Sequence, residues 1–314
     1  MASVAEVRAA RLAELPFEVS VSAGPKAVGG FVASIKEIVS HRQLLDLLIR
    51  RELKSRYKDS SLGFVWSLIK PLTQLLIYYV FIGTVLGASR GVPDFAIFVF
   101  AGLTLWGLYS EIIASGTSSI VTNAGLIKKV YLPREIFPLA ATGSAIFNFL
   151  IQFGILILAT VVLGQFPVSL NLLYVPAAVV IVLIWGVAFA ILLSALNVYL
   201  RDIQYLVEVA MLLLFWASPI VYSWTLVVNA VKNHSWLLEV YLLNPISLAI
   251  LAFQRGIWQA GSQTRVIEGN TIPPQEWPAN MDLRLIVCAV VGLVVLYFAQ
   301  RIFSRLQGNF AQEI

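Results

Sequence analysis

The pattern of hydrophobic and polar positions changes abruptly near residue 62. Up to there the stretch IRRELKSRYKDSS (49–61) is dominated by charged and hydroxylated residues, and LGFVWSLIKPLTQLLIYYVFIG (62–83) that follows is almost wholly apolar. Apolar runs of about 20 residues, the length a helix needs to cross about 30 Å of hydrocarbon, recur at 64–86, 95–115, 136–163, 172–196, 205–222 and 285–303. Backbone groups in lipid must be satisfied within their own segment. The runs are too long and too evenly apolar for barrel strands, so each is predicted to be a helix.

Two further segments carry a helical pattern without being ordinary spans. Leu45, Ile49, Leu53 and Tyr57 recur at a spacing of four, with Leu44 and Leu48 on one flank, so 42–58 reads as an amphipathic helix lying in the membrane interface. A solvated helix whose charges only mark the inner side is the alternative, and Arg56 interrupts the stripe. WLLEVYLLNPISLAILAFQRGIW (236–258) is apolar enough for a seventh span, but Asn244-Pro245 divides it into two short pieces. Two short re-entrant helices, covered by other protein, are the expected outcome.

Composition agrees with a membrane chain: 59% hydrophobic and 12% charged residues over 314 positions, where a soluble domain carries about 25% charge. Lys and Arg cluster before the first span (Arg8 through Lys58), in 116–135 (Lys128, Lys129, Arg134), after the fourth span (Arg201) and after the sixth (Arg301, Arg305). The opposite loops hold Arg90, Lys232, Arg255, Arg265 and Arg284. By the positive-inside rule both termini are expected to be cytoplasmic. The first 40 residues mix charges with Ala, Val and Ser around no continuous apolar core, unlike a signal peptide, so the first span is expected to stay.

The chemistry missing from the chain narrows its function. There is no G-x-x-x-x-G-K-[ST] phosphate loop, no H-E-x-x-H, no clustered Cys/His set and no D-x-D pair; the histidines are His41 and His234 alone. No catalytic site, resident metal or cofactor is expected. Cys288 lies inside the last span without an intrachain partner and reads as a small core residue. Of the ionisable groups inside the spans, Lys70 can snorkel to head groups and Glu208 sits near a helix start. Glu111 is harder to explain and leaves a proton-relay role open.

Three blocks in order carry a resemblance: RYKDSSLGFVWSLIKP (56–71), LIKKVYLPREIFP (126–138) and NVYLRDIQYLVEVAMLLLFWASPIVYS (197–223). Together they resemble the permease subunits of ABC transporters that export polysaccharides, the O-antigen and teichoic acid exporter branch, over about residues 40–310. The resemblance implies a short cytoplasmic coupling helix seated in a groove of a separate ATPase. Here that is Asn123 to Val130, with Leu126, Ile127 and Val130 as knobs and Lys128, Lys129 and Arg134 as a charged rim. A plain positive-inside loop is the alternative. It also implies that the 42–58 helix borders a portal for a lipid-linked substrate. There Arg50, Arg51, Arg56 and Lys58 would meet a polyprenyl diphosphate, if they do not simply anchor the chain to anionic lipid. Aromatic rings suit a sliding contact with sugar faces, and Trp106, Tyr109, Trp216 and Tyr222 are the candidates for the path.

The resulting expectation is an all-α membrane protein: a cytoplasmic segment 1–62 with the interfacial helix, then a permease domain 63–314 of six spans, its segment 223–282 forming an outer gate or simple cap. Its partners would be an ABC ATPase carrying ATP and Mg, a second copy of itself, membrane lipids and a lipid-linked polysaccharide, with no nucleic acid. It would sit in a bacterial plasma membrane, and overall likeness points to actinobacterial galactan as the polymer. The alternatives are a membrane glycosyl or acyl transferase acting on lipid-linked sugars, and a drug-exporting permease of the same superfamily.

Overall fold

The computed structural model describes residues 27–57, 65–87, 91–129, 132–232, 234–267 and 270–313. Two helices precede the first span, α1 (Ala27–Ser40) and α2 (Arg42–Tyr57). The spans follow as α3 (Trp66–Tyr78), prolonged by a wider coil over Tyr79–Val85, then α4 (Phe95–Thr122), the single turn α5 (Ala124–Ile127), α6 (Ile136–Val162) and α7 (Tyr174–Tyr199). Beyond them lie α8 (Ile203–Trp216), α9 (Trp224–Ala230), α10 (Ser235–Leu242), α11 (Pro245–Ile257), α12 (Met281–Leu306) and α13 (Phe310–Glu313). A small antiparallel hairpin, β1 (Arg265–Ile267) with β2 (Asn270–Ile272), stands within the segment 223–282 expected to form an outer gate or cap. The chain is an all-α membrane protein apart from this hairpin. Among the described residues five helices are long and apolar enough to cross a membrane, or six if the bent pair Trp236–Leu242 and Pro245–Ile257 is taken as one span.

The centre of the bundle is α4, 78% of whose apolar window is buried, against 6% for the segment Trp66–Val85 at the periphery. Small residues make the central seam possible, because helices in lipid associate through close backbone packing and not through the hydrophobic effect. On α7, Gly186, Ala190 and Ser194 recur every four residues and are buried. Ile112 of α4 covers Gly186, and Gly116 faces Ala190 so closely that a Cβ added to the glycine would lie 2.5 Å from that of Ala190. Asn197 closes the seam by donating to the carbonyl of Thr117 at 3.2 Å. Between α4 and α6, Asn148 donates to Glu111 at 2.7 Å, which gives that intramembrane carboxylate a structural partner.

The fifth apolar run is a shorter helix than the sequence pattern suggests. α8 has 14 residues, about 21 Å at 1.5 Å per residue, because Pro219 forces the residue before it away from helical geometry. The non-helical chain beyond Trp216 is packed inside protein: Ser218, Ile220 and Val221 are buried, and Ile220 lies so close to Gly102 that a larger residue there would have to displace it. The polar residues of α11 satisfy the carbonyls this break releases. Gln254 Nε2 donates to Pro219 O at 3.0 Å, and Ser247 Oγ donates to Ala217 O at 3.3 Å. Irregular backbone at membrane depth is stable only under such cover.

The 236–258 run folds as expected into two pieces, with an 86° bend between Trp236–Leu242 and Pro245–Ile257. Asn244 caps α11 by accepting from the Ile246 N–H at 3.2 Å, with Pro245 at the first helical position. Both ends of the pair are fastened at one end of the bundle. Glu239 of α10 holds Arg284, in the first turn of α12, through two bonds of 2.7 and 2.8 Å. Arg255 of α11 lies over the Tyr174 ring at 4.5 Å, and Trp258 Nε1 donates to Pro93 O at 2.6 Å. The pair therefore enters and leaves on the same side.

At the opposite, basic end, a second apolar cluster joins Leu48 of α2 with Ile120, Ile136, Phe137, Ile191, Val198, Phe303 and Phe310. Leu44, Leu45 and Ile49 pack onto it, and Ile49 leans over Gly143 of α6. The apolar stripe of α2 is thus covered largely by the chain's own helices.

Candidate functional site

α4 ends at Asn123, where the backbone leaves the helix at φ −100°, ψ 17°. The Asn123 side chain explains the stop: Nδ2 donates back to Ser119 O at 2.8 Å, and Oδ1 accepts from the Arg51 guanidinium of α2. The single turn α5 follows. Ile127 is 7% exposed and belongs to the basic-end cluster, and Leu126 packs against it. The surface left for a partner is therefore Gly125, Lys128 and Lys129, all exposed, with part of Leu126. Val130 lies outside the described residues.

The far side of this segment is fastened too. The Arg134 guanidinium lies 5.6 Å over the Phe310 ring. Glu135 is buried where α6 begins, accepting from Ser34 Oγ of α1 at 2.9 Å and from Gln300 Nε2 of α12 at 3.3 Å. Burial pushes the Glu135 carboxyl above the ordinary carboxylate range, against the lowering pull of those hydrogen bonds. The short helix is thus tied to α2 at one side and to α1, α12 and α13 at the other, with two exposed cations between the ties.

The residues read as a diphosphate portal divide. Arg50 makes an exposed i,i+4 pair with Asp46 at 2.8 Å, an interaction of about 0.3–0.5 kcal/mol that a phosphate can displace. Arg51 is committed to Asn123, which joins α2 to the end of α4 across 72 residues of sequence. The Arg56 side chain and Lys58 lie outside the described residues.

The four path aromatics do not share one surface. Trp106 and Tyr109 are 8% and 3% exposed and pack inside the chain, Trp106 meeting Phe215 of α8 in a T-shaped contact with the ring centroids 5.6 Å apart. Trp216 is 54% exposed, its ring meeting Phe215 edge-on with the centroids 5.4 Å apart. Tyr222 ties the break after α8 to its surroundings, donating to Trp216 O at 2.9 Å and sharing a 3.2 Å hydrogen bond with Tyr241 of α10. Lys70 and Glu208 are exposed on α3 and α8. Among the described residues no group of three or more His, Cys, Asp or Glu is placed to hold a metal.

Sequence reasoning missed the polar face of α11. Asn244, Ser247 and Gln254 sit at helical spacing, and that spacing was the available signal: three amides and hydroxyls on one side of an otherwise apolar helix need buried partners.

Residues 43–258 match the family model described as ABC-2 type transporter. An O-antigen export system permease protein RfbA of Myxococcus xanthus is 28% identical over 280 residues, covering 89% of this chain and 98% of that protein. A protein of the same description from Klebsiella pneumoniae is 28% identical over 283 residues, 89% and 99% of the two chains. The polysialic acid transport protein KpsM of Escherichia coli is 31% identical over 84 residues, 26% of this chain and 32% of that protein.

Proposed function

The chain belongs to the ABC-2 type transporter family, and from that premise we propose that it is the permease subunit of a bacterial exporter that carries a polysaccharide to the outer face of the plasma membrane. In this reading two copies assemble with two copies of a separate ABC ATPase, which binds ATP and Mg. The basic end is cytoplasmic, with both termini on that side, and the α10–α11 pair is the outer gate. α8 with the covered segment after it completes six passes. The cargo is a glycan on a polyprenyl diphosphate, with cell-wall galactan as the polymer to test first.

The observation that carries this reading is the basic-end segment 123–135. A connection that only joined two spans would need no more than its positive charge. This one is anchored to four other helices and offers exposed cations at a helix break, the arrangement of a lever that passes a partner's movement into the bundle. Arg51 links the lever to α2, so a shift of the coupling turn would also move the portal helix and its exposed Arg50.

Depleting the chain in its own cells tests the proposal. The lipid-linked polymer is expected to accumulate on the cytoplasmic side while synthesis continues. Normal surface polymer after depletion rejects it, and sugar or acyl transfer by the purified chain alone would favour the transferase.

A further inference from the structure

A cavity of about 550 Å³ opens beside α3 at the end of the bundle opposite the basic one. Its walls include Leu72, Leu76, Tyr79, Phe95 and Leu163, all apolar or aromatic, and Asp94 is the one charged residue in the lining. Leu72, Leu76 and Tyr79 are themselves exposed on the outside of the bundle, so the cavity opens sideways from this chain. Its size falls within the range of clefts that hold small ligands, roughly 300–1,000 Å³.

Asp94 does not do what an aspartate before a helix ordinarily does. It precedes α4, but its side chain caps no N–H, and its backbone stands in the left-handed region at φ 47°, ψ 48°. Outside glycine that conformation is uncommon and is found at ligand clamps and tight turns. Its Oδ2 is buried and has no hydrogen-bond partner among the described residues. The turn itself is held firmly from the other side, since Trp258 donates to the neighbouring Pro93 carbonyl. Asp94 as a whole is half-buried and lines the cavity, so its carboxyl is placed to meet a cation there.

The chemistry of the walls selects that cation. A divalent metal requires several oxygen ligands, and this lining has one carboxylate among apolar groups. An ammonium needs only one strong acceptor. An amphiphile that carries an ammonium beside an acyl chain matches both the carboxylate and the apolar side facing the bilayer. We propose that this cavity is a binding site for an ethanolamine phospholipid, with its ammonium on Asp94 and an acyl chain along Leu72, Leu76 and Tyr79. That the leaflet is the outer one rests on the orientation proposed above; the binding itself does not.

The test places the full chain in nanodiscs of mixed phosphatidylethanolamine and phosphatidylglycerol, extracts it gently and measures retained lipid by native mass spectrometry. The wild type is expected to retain phosphatidylethanolamine over phosphatidylglycerol by about tenfold, the effect of one charge-assisted hydrogen bond. D94N is expected to lose that preference. L76W, which fills the mouth and leaves the carboxylate in place, is expected to lose retention of both lipids, so the proposal stays testable if D94N does not fold. Equal retention of the two lipids by the wild type overturns it, as does an unchanged preference in both variants. Arg90, which lies outside the described residues, is the only cation in the sequence 84–94. If R90A raises the preference well above the wild type, the carboxylate is held by the chain itself in the wild type and the proposal falls. A disulfide between two copies of L76C in membranes would place a second copy over the cavity and overturn it as well.

Discussion

Reversing Lys128 and Lys129 together to glutamate is expected to lower polymer export at least about tenfold, because like charges brought together at an interface cost several kcal/mol. Both lysines are exposed beside the α5 turn, so the folded chain should lose nothing: its amount in membranes and its melting temperature should match the wild type. The Lys→Arg pair keeps the charge and is expected to retain most export. Cell-surface polymer, with the ATPase recovered on the tagged permease, reads both effects. A charge reversal that left export intact would remove the coupling role from this segment. One that lowered the amount of chain would show a structural role instead. Ile127 is a poor substitute for this test, since its side chain belongs to the interior and changing it would confuse docking with folding.

Gly116→Leu is expected to have the largest effect on stability. Even a Cβ at Gly116 would meet the Ala190 Cβ at 2.5 Å, with the Ala190 Cα at 3.2 Å, so the obstruction is a methyl fixed to the backbone and cannot swing aside. Overpacking a tight core costs about 1–3 kcal/mol and sometimes more. Here it would part α4 from α7 at the centre of the bundle, taking with it the cover over Gly186 and the Asn197 bond to Thr117. Heating in detergent with size-exclusion readout should show a clearly lower melting temperature and a smaller folded fraction. Gly125→Leu is the control, because nothing lies within 4 Å of a Cβ there. Equal melting of both variants would contradict the packed-seam account.

Much of this fold could be read along the chain, and the exceptions have local causes. The first and third runs match their helices within two residues at each end. α4 runs on to Thr122, past the expected end at 115, because the polar residues of its tail satisfy themselves within the helix: Thr117 donates to Ile113 O at 2.7 Å, Ser119 to Gly116 O at 2.6 Å and Thr122 to Ser118 O at 2.9 Å. Hydroxyls that suggest a loop in sequence are neutral in a helix once they bond their own carbonyls. α8 is short for the opposite reason, one proline in an apolar run. The candidate site was legible only in part. The segment proposed for coupling stands out in sequence through Pro133, Arg134 and Glu135, yet the Arg51 bond to Asn123 depends on how α2 folds back, which no local pattern encodes. Trp106 and Tyr109 show the same limit, since aromatics at helical spacing look alike whether they fill a core or line a path.

The most direct measurement is transport in proteoliposomes holding the purified permease, its ATPase, and a lipid-linked glycan on the cytoplasmic side. The glycan is expected to become accessible to an enzyme on the opposite side only when permease, ATPase and hydrolysable ATP are all present, and to stay inaccessible when any one is withheld. Passage by the permease alone, or ATP-driven passage undiminished by the Lys128 and Lys129 reversal, would contradict a conduit worked from the cytoplasm through its basic end.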